Sequence, residues 1–163
     1  MYHLRQETPE DWWAVEDLYD LCFAPGREAL SSYRLRDDVP PVAELSTVAV
    51  DEDNIIGGAI RFWPVRVSDK AALLLGPVAV HPTRQGEGLG GALIRDTTAR
   101  ALEQGWDRIL LVGDAPYYGK FGFAHLPDIV MPPPTNPARV LGLGDWADLS
   151  GRVKKWRGPD GMP

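Results

Sequence analysis

Apolar residues change their period several times along the chain, and each change marks an element. Trp12, Val15, Leu18 and Cys22 recur at helical spacing. They follow Thr8-Pro9-Glu10-Asp11, where a hydroxyl, a proline at the first helical position and an acid three residues after the hydroxyl make a helix start. A short strand over residues 2–5 precedes this helix, and Ala24-Pro25-Gly26 stops it. Residues 28–36 read as a second short helix, ended before Pro40-Pro41. Residues 45–50 and 55–67 read as strands joined by the turn-forming Asp51-Glu52-Asp53-Asn54. Residues 73–80 form the next strand, and residues 89–104, with Leu93, Thr97 and Ala101 on one stripe, form the main helix, which Gly105 ends. The continuous apolar run over residues 108–112 predicts a strand buried on both faces. Residues 117–121 suit one helical turn. Pro132-Pro133-Pro134 then breaks regular structure ahead of two terminal strands, over residues 138–143 and 151–156.

Composition narrows the class. A chain of 163 residues with no repeat and no internal boundary is expected to form one domain, residues 1–163, with a single sizeable core. Acidic residues outnumber basic ones, 23 to 17, which argues against nonspecific binding to nucleic acid or an anionic membrane surface and suits a cationic amine substrate. Cys22 is the sole cysteine, so there is no intramolecular disulfide framework and no cysteine cluster for zinc. The start, Met1-Tyr2-His3-Leu4-Arg5-Gln6, lacks an apolar signal region, and no apolar run approaches the ~18 residues of a membrane span. A reducing cytoplasm is the expected compartment.

The richest chemistry lies where the strand over residues 73–80 passes through His81-Pro82-Thr83-Arg84 into Gln85-Gly86-Glu87-Gly88-Leu89-Gly90-Gly91 and then the main helix. A strand, a glycine-rich turn and a helix N-terminus present unpaired backbone N–H groups and a positive dipole end to an anion. Glycines let that backbone close on phosphate oxygens and take positive φ where the loop must curl. A phosphate-bearing cofactor is therefore expected. Gly86-x-Gly88-x-x-Gly91 also matches the dinucleotide fingerprint, with Asp114 roughly ~20 residues on as a ribose-binding acid. Spacing opposes that reading: in the dinucleotide motif the first glycine closes the strand, whereas here residues 81–85 intervene and include a proline. The Gly-Lys-Ser/Thr signature of nucleoside triphosphatases is absent.

Gln85-x-x-Gly88-x-Gly90 resembles the cofactor loop of the GNAT superfamily of acyl-CoA-dependent N-acetyltransferases, and the preceding Val78-Ala79-Val80-His81-Pro82 resembles that family's fourth strand. A second block, Tyr118-Gly119-Lys120-Phe121-Gly122-Phe123, is similar to the family's Tyr-x-x-x-Gly-Phe segment. The resemblance spans roughly residues 2–123, and the wording of residues 113–123 is similar to a poorly characterised bacterial subgroup. It implies an α/β GNAT-like single domain whose mixed central sheet is splayed between the fourth and fifth strands, with helices on both faces. It implies acetyl-CoA (CoA) as cosubstrate, with the pyrophosphate on Arg84, Gln85, Gly86, Gly88, Leu89, Gly90 and Gly91. The pantetheine arm would lie along Val78, Ala79 and Val80, where a backbone N–H serves the thioester carbonyl. Tyr118 carries over as the general acid at the leaving sulfur, with Tyr117 as its alternate should the register slip. An unperturbed phenol, with a pKa near ~10, keeps its proton at neutral pH.

No motif selects a general base. Glu44, Glu28, Asp114 and His81 are the titratable candidates; Asp114, where a buried strand ends, is the best placed, though a turn-capping aspartate has the same sequence signature. Glu87 is expected to face solvent, and Lys120 to reach a ribose phosphate or solvent. Of the six tryptophans, Trp12, Trp13 and Trp63 suit cation–π contact with an amine, but core filling or a homodimer contact explains them as well. Arg27, Arg34 and Arg36, in what the family plan makes a substrate-lid segment, argue against a simple polycationic substrate. Two readings of different class result. One is direct acetyl transfer to the amine of a small molecule or a peptide; the other is a noncatalytic acyl-CoA-binding sensor or scaffold.

Overall fold

The computed structural model describes residues 2–23, 33, 35–36 and 38–156. The expected helix over residues 28–36, with Glu28, Arg27 and Arg34, lies outside them or is only partly covered. Among the described residues the chain runs β1 (His3–Gln6), α1 (Trp12–Cys22), β2 (Thr47–Val50), β3 (Ile56–Val67), β4 (Lys70–Val80), α2 (Leu89–Glu103), β5 (Arg108–Val112), α3 (Ala115–Gly119), β6 (Ala124–His125), β7 (Ile129–Val130), β8 (Val140–Gly144) and β9 (Gly151–Lys155). The strands line up β1-β2-β3-β4-β5-β8-β6. β9 continues beside the second half of β3, at Val65–Val67, where the shorter β2 has ended. Only β4–β5 and β7–β9 are parallel.

Local chemistry sets the ends of α1. The turn Pro9–Asp11 leads into it, and the Asp11 carboxylate accepts hydrogen bonds from the Thr8 N–H at 2.8 Å and from Arg5 Nη1 at 2.7 Å. Leu89, Leu93, Ile94 and Ala101 of α2 pack on one face of the sheet against Ala49, Ile60, Phe62, Leu73 and Ile109. On the other face, Val15, Leu18 and Tyr19 of α1 meet Val48, Val50, Ala59 and Ala79. By the alternation of a strand, Trp63, Val65, Ala72, Leu74 and Leu110 continue that second face under Leu126, Ile129 and Met131.

The antiparallel β3–β4 ladder contains one irregularity. Ile60 pairs with Val78 but Phe62 pairs with Leu75, so β4 carries one extra residue at Gly76-Pro77. Gly76 adopts φ +122°, a conformation that a side chain resists. The bulge reverses the alternation of β4, which is why Leu75 and Val78, three residues apart, both serve the α2 face. It also ends the parallel ladder: β4 and β5 pair only at Leu73–Ile109 and Leu74–Leu110, then separate.

Arg61 stands opposite the bulge, on the α1 face, with its side chain 1% exposed. Its Nε and Nη2 donate to the two Glu7 carboxylate oxygens at 3.0 and 2.8 Å, and Nη1 donates to Glu16 of α1. The guanidinium lies 3.8 Å from the centre of the Trp12 ring. A buried ion cluster of this kind costs desolvation to form, but removing one member strands the others. Replacing Arg61 with Met should therefore lower unfolding stability by about 3–5 kcal/mol in urea titrations. Glu16→Gln, at the more exposed end of the cluster, should cost clearly less.

Candidate active site

Where β4 and β5 part, the outer edge of β4 is left without a strand. The His81 N–H donates to the Gly57 carbonyl at 2.8 Å. Antiparallel backbone alternates in direction, so His81 and Ala79 address β3 while Val78 and Val80 turn their backbone groups toward the opening. The Val80 carbonyl there accepts from Cys22 Sγ at 3.3 Å and from Gln85 Nε2 at 3.4 Å, which fastens the start of the glycine loop to the strand. The Tyr19 hydroxyl donates to the Pro77 carbonyl at 3.0 Å, holding the bulge from the α1 side.

The loop itself is shaped as its glycines require. Gly86 and Gly88 adopt φ +90° and +80°, and a Cβ built on either would meet nothing within 4 Å, so their backbone is open to close approach. Gly88 caps α2, whose first-turn N–H groups have no intrahelical partner. Arg84, Gln85, Gly86, Gly88, Leu89, Gly90 and Gly91 line a cleft of about 550 Å³ together with Val78, Val80, Tyr117 and Tyr118. Ala79 is not part of this wall, because its side chain packs beneath α1. The backbone geometry of the cleft suits an anion, with Arg84 as its one cationic wall residue among the described residues. These residues fit a pyrophosphate-bearing cofactor.

A second cleft, of about 310 Å³, opens on the other side of the splay between Leu74–Val78 of β4 and residues 111–114. Phe23, at the end of α1, and Arg36 and Arg139 complete it. Val78 and Tyr118 belong to both clefts and form the partition between them.

Tyr118 is set by its surroundings. Asp114 caps α3 by accepting from the Tyr117 N–H at 2.9 Å, and the Tyr118 ring lies against Gly113, where a Cβ would come within 2.6 Å of it. Phe123 meets that ring edge-on, with centroids 6.0 Å apart. Burial, with a further contribution from Tyr117, pushes the Tyr118 hydroxyl up to about 12, opposed by the charge of Arg139. Its hydroxyl has no hydrogen-bond partner among the described residues. Tyr117 instead points its hydroxyl at the start of α2, 3.4 Å from where a Gly90 Cβ would sit.

The remaining candidates divide sharply. Asp114 lines the second cleft, although its Oδ2 serves the cap. His81 is occupied within its own turn, Nδ1 lying 2.8 Å from Thr83 Oγ1 and 3.2 Å from the Thr83 nitrogen. Glu44 and Glu87 line neither cleft. Lys120 lies 4.6 Å over the Tyr117 ring. Trp12 and Trp63 do engage cations, but those of Arg61 and Arg36, and Trp13 is 75% exposed. Arg139 and Phe23 carried no motif, and only the fold assembles them. Gly76-Pro77 inside a strand did carry a bulge signal.

The matches to known proteins have the same geography. The acetyltransferase (GNAT) domain family matches residues 43–125, from just before β2 through β6. The uncharacterized N-acetyltransferase YhbS of Escherichia coli strain K12 is 30% identical over 122 residues, covering 74% of this chain and 72% of that protein. Among solved structures, a GNAT family acetyltransferase from Brucella melitensis in complex with acetyl-CoA is 32% identical and superimposes with a TM-score of 0.71, covering 96% of this chain and 97% of that one. The structure of Escherichia coli YhbS in complex with CoA has the same fold, with a TM-score of 0.81 at 24% identity over 95% of this chain and 89% of that one. The family match spans the splay, the glycine loop and the Tyr118 segment together, and with these relatives it establishes that the chain belongs to the GNAT family of acetyltransferases.

Proposed function

We propose that this protein transfers the acetyl group of acetyl-CoA directly to an amine. The observation that carries the reading is the pair of clefts meeting at Val78 and Tyr118: one has an anion-binding backbone loop, the other has no such loop, and the acid stands at their junction. The B. melitensis and E. coli structures, bound to acetyl-CoA and CoA, support the choice of cosubstrate.

In this reading the loop over residues 84–91 holds the pyrophosphate and the β4 edge at Val78 and Val80 lies along the pantetheine arm. Backbone N–H groups at that edge donate to the thioester oxygen as it gains negative charge. The amine, entering from the second cleft as the free base, forms the new C–N bond while the C–S bond breaks. Tyr118 delivers its proton to the departing sulfur and regains one from solvent. Asp114 receives the proton lost by the amine nitrogen through the Oδ1 oxygen that the cap leaves over, and direct transfer needs no acyl-enzyme. The raised Tyr118 pKa suits this role, since the hydroxyl remains protonated throughout the neutral range.

Acetyl-CoA should raise the melting temperature, by the equivalent of about 2.7 kcal/mol at a hundredfold excess over Kd. Gly88→Val should abolish most of that shift, because a branched side chain at φ +80° both strains the loop and blocks phosphate approach. A shift produced by NADH instead would restore the dinucleotide reading.

Thiol release from acetyl-CoA across an amine panel tests turnover itself. Tyr118→Phe should cut kcat at least ~10-fold with acetyl-CoA affinity nearly unchanged, and Tyr117→Phe should be nearly silent. Because the Tyr118 proton is lost only near about 12, wild-type kcat should show no alkaline fall from this group below pH ~10. A wild-type rate in Tyr118→Phe would remove it from the mechanism.

Asp114→Asn is the matched test of the base, since Asn also caps helices and α3 should survive. The expected result is an unchanged melt and a kcat at least ~10-fold lower. An unchanged kcat would reduce Asp114 to its cap.

A further inference from the structure

The bulge leaves a carbonyl that the β3–β4 ladder does not hold. Ile60 faces Val78 and Phe62 faces Leu75, so Gly76 and Pro77 have no partner residue on β3. The Pro77 carbonyl is taken by α1 instead, where the Tyr19 hydroxyl donates to it at 3.0 Å. Tyr19 is 0% exposed. Its ring packs with Val15, Leu18, Val48, Ala59 and Ala79, and it is flanked by the Arg61 guanidinium, 5.2 Å from its centre, and by the Phe23 ring, with centroids 6.2 Å apart. Burial pushes the hydroxyl above the ordinary tyrosine range, against the pull of the Arg61 charge, so it stays a donor at every working pH. Filling the core needs only the ring. The hydroxyl has a separate task.

The Pro77 C=O and the Val78 N–H are the two ends of one planar peptide unit and point in opposite directions. Fixing the carbonyl therefore fixes the direction of the Val78 N–H, which the register turns away from β3 and toward the opening. We infer that Tyr19 is a positioning residue for acetyl transfer: by holding the Pro77 carbonyl, its hydroxyl aims the Val78 N–H at the thioester oxygen. The inference rests on the reading above that the thioester lies along the β4 edge. Val78 stands with Tyr118 at the partition of the two clefts, which places its N–H where the acyl carbon is transferred. A donor to the developing oxyanion works only when it is aimed, and a misplacement of ~1 Å can cost ~10²-fold. At the bulge the ladder bonds that would hold that aim are missing, and Tyr19 replaces them. The result is a chain in which the Tyr19 O–H polarises the Pro77–Val78 peptide and the peptide N–H polarises the thioester, each hydrogen bond strengthening the next.

The test compares Tyr19→Phe, which keeps the ring and deletes the hydroxyl, with Val15→Ala, which opens the same core under α1 without touching Pro77. With an amine that the wild type acetylates, Tyr19→Phe should lower kcat at least ~10-fold and leave KM for acetyl-CoA nearly unchanged. Val15→Ala should melt at a lower temperature yet keep the wild-type kcat below its melt. A wild-type kcat in Tyr19→Phe, or an equal loss in Val15→Ala, would overturn the inference while leaving acetyl transfer standing. NMR of the wild type decides the matter should the Phe variant fail to fold. Acetyl-CoA should move the Val78 amide proton and the buried Tyr19 hydroxyl proton downfield together, whereas CoA, which lacks the thioester carbonyl, should move neither to the same extent. A Val78 shift without one at Tyr19, or equal shifts with CoA, would likewise overturn the inference. Both resonances answering acetyl-CoA in a protein that releases no thiol with any amine would uphold the Tyr19 link and remove acetyl transfer.

Discussion

A buried strand cannot leave its backbone hydrogen-bonding groups without partners, and this molecule is organised around one place where a strand loses its neighbour. After Leu74 the extra residue at Gly76-Pro77 turns β4 out of register, and β5 no longer follows it. Of the groups released at Val78 and Val80, one carbonyl is taken up within the chain. Cys22 and Gln85 donate to the Val80 carbonyl, and the remaining donors line a cleft whose walls are built for a ligand that would sit against the strand edge.

Such a gap persists only because its two sides are held independently. β5 remains paired with β8 along all five of its residues, and the Gly113–Arg139 backbone bond prolongs that pairing past the point of separation. On the other side, β4 stays fixed to β3 by the long antiparallel ladder. α1 is clamped over the bulge by the Tyr19–Pro77 hydrogen bond and by the buried Arg61 cluster with Glu7 and Glu16. Arg61 thus joins the stability of the fold to the geometry of the opening, although it touches neither cleft.

Electrostatics is divided between the clefts by different means. The loop side offers backbone donors and a helix end with, among the described residues, one arginine, an arrangement that suits an anion without a patch of lysines. The opposite side places Arg36 and Arg139 around a single aspartate. Between them Tyr118 sits in a seat that only Gly113 permits, desolvated enough to keep its proton yet accessible to both clefts.

Much of this was legible before folding was considered. The period of the apolar residues located α1, α2 and β3–β5 to within a few residues, because each buries one stripe or face and the core enforces that pattern locally. The glycine loop and the Tyr118 segment were legible because close phosphate approach and positive φ restrict residue choice at fixed spacing. The two-residue strands β6 and β7 were not, since pairs so short are imposed by their neighbours β8 and β9. Nor could sequence send Trp12 and Trp63 to Arg61 and Arg36 and not to a substrate. Those outcomes depend on residues far apart in the chain. The linear sequence therefore determined the elements and the cofactor loop, while tertiary packing alone decided the splay at the bulge, the seat of Tyr118 and the meeting of Arg36, Asp114 and Arg139 in one cleft, because each of these is a long-range contact with no local period to record it.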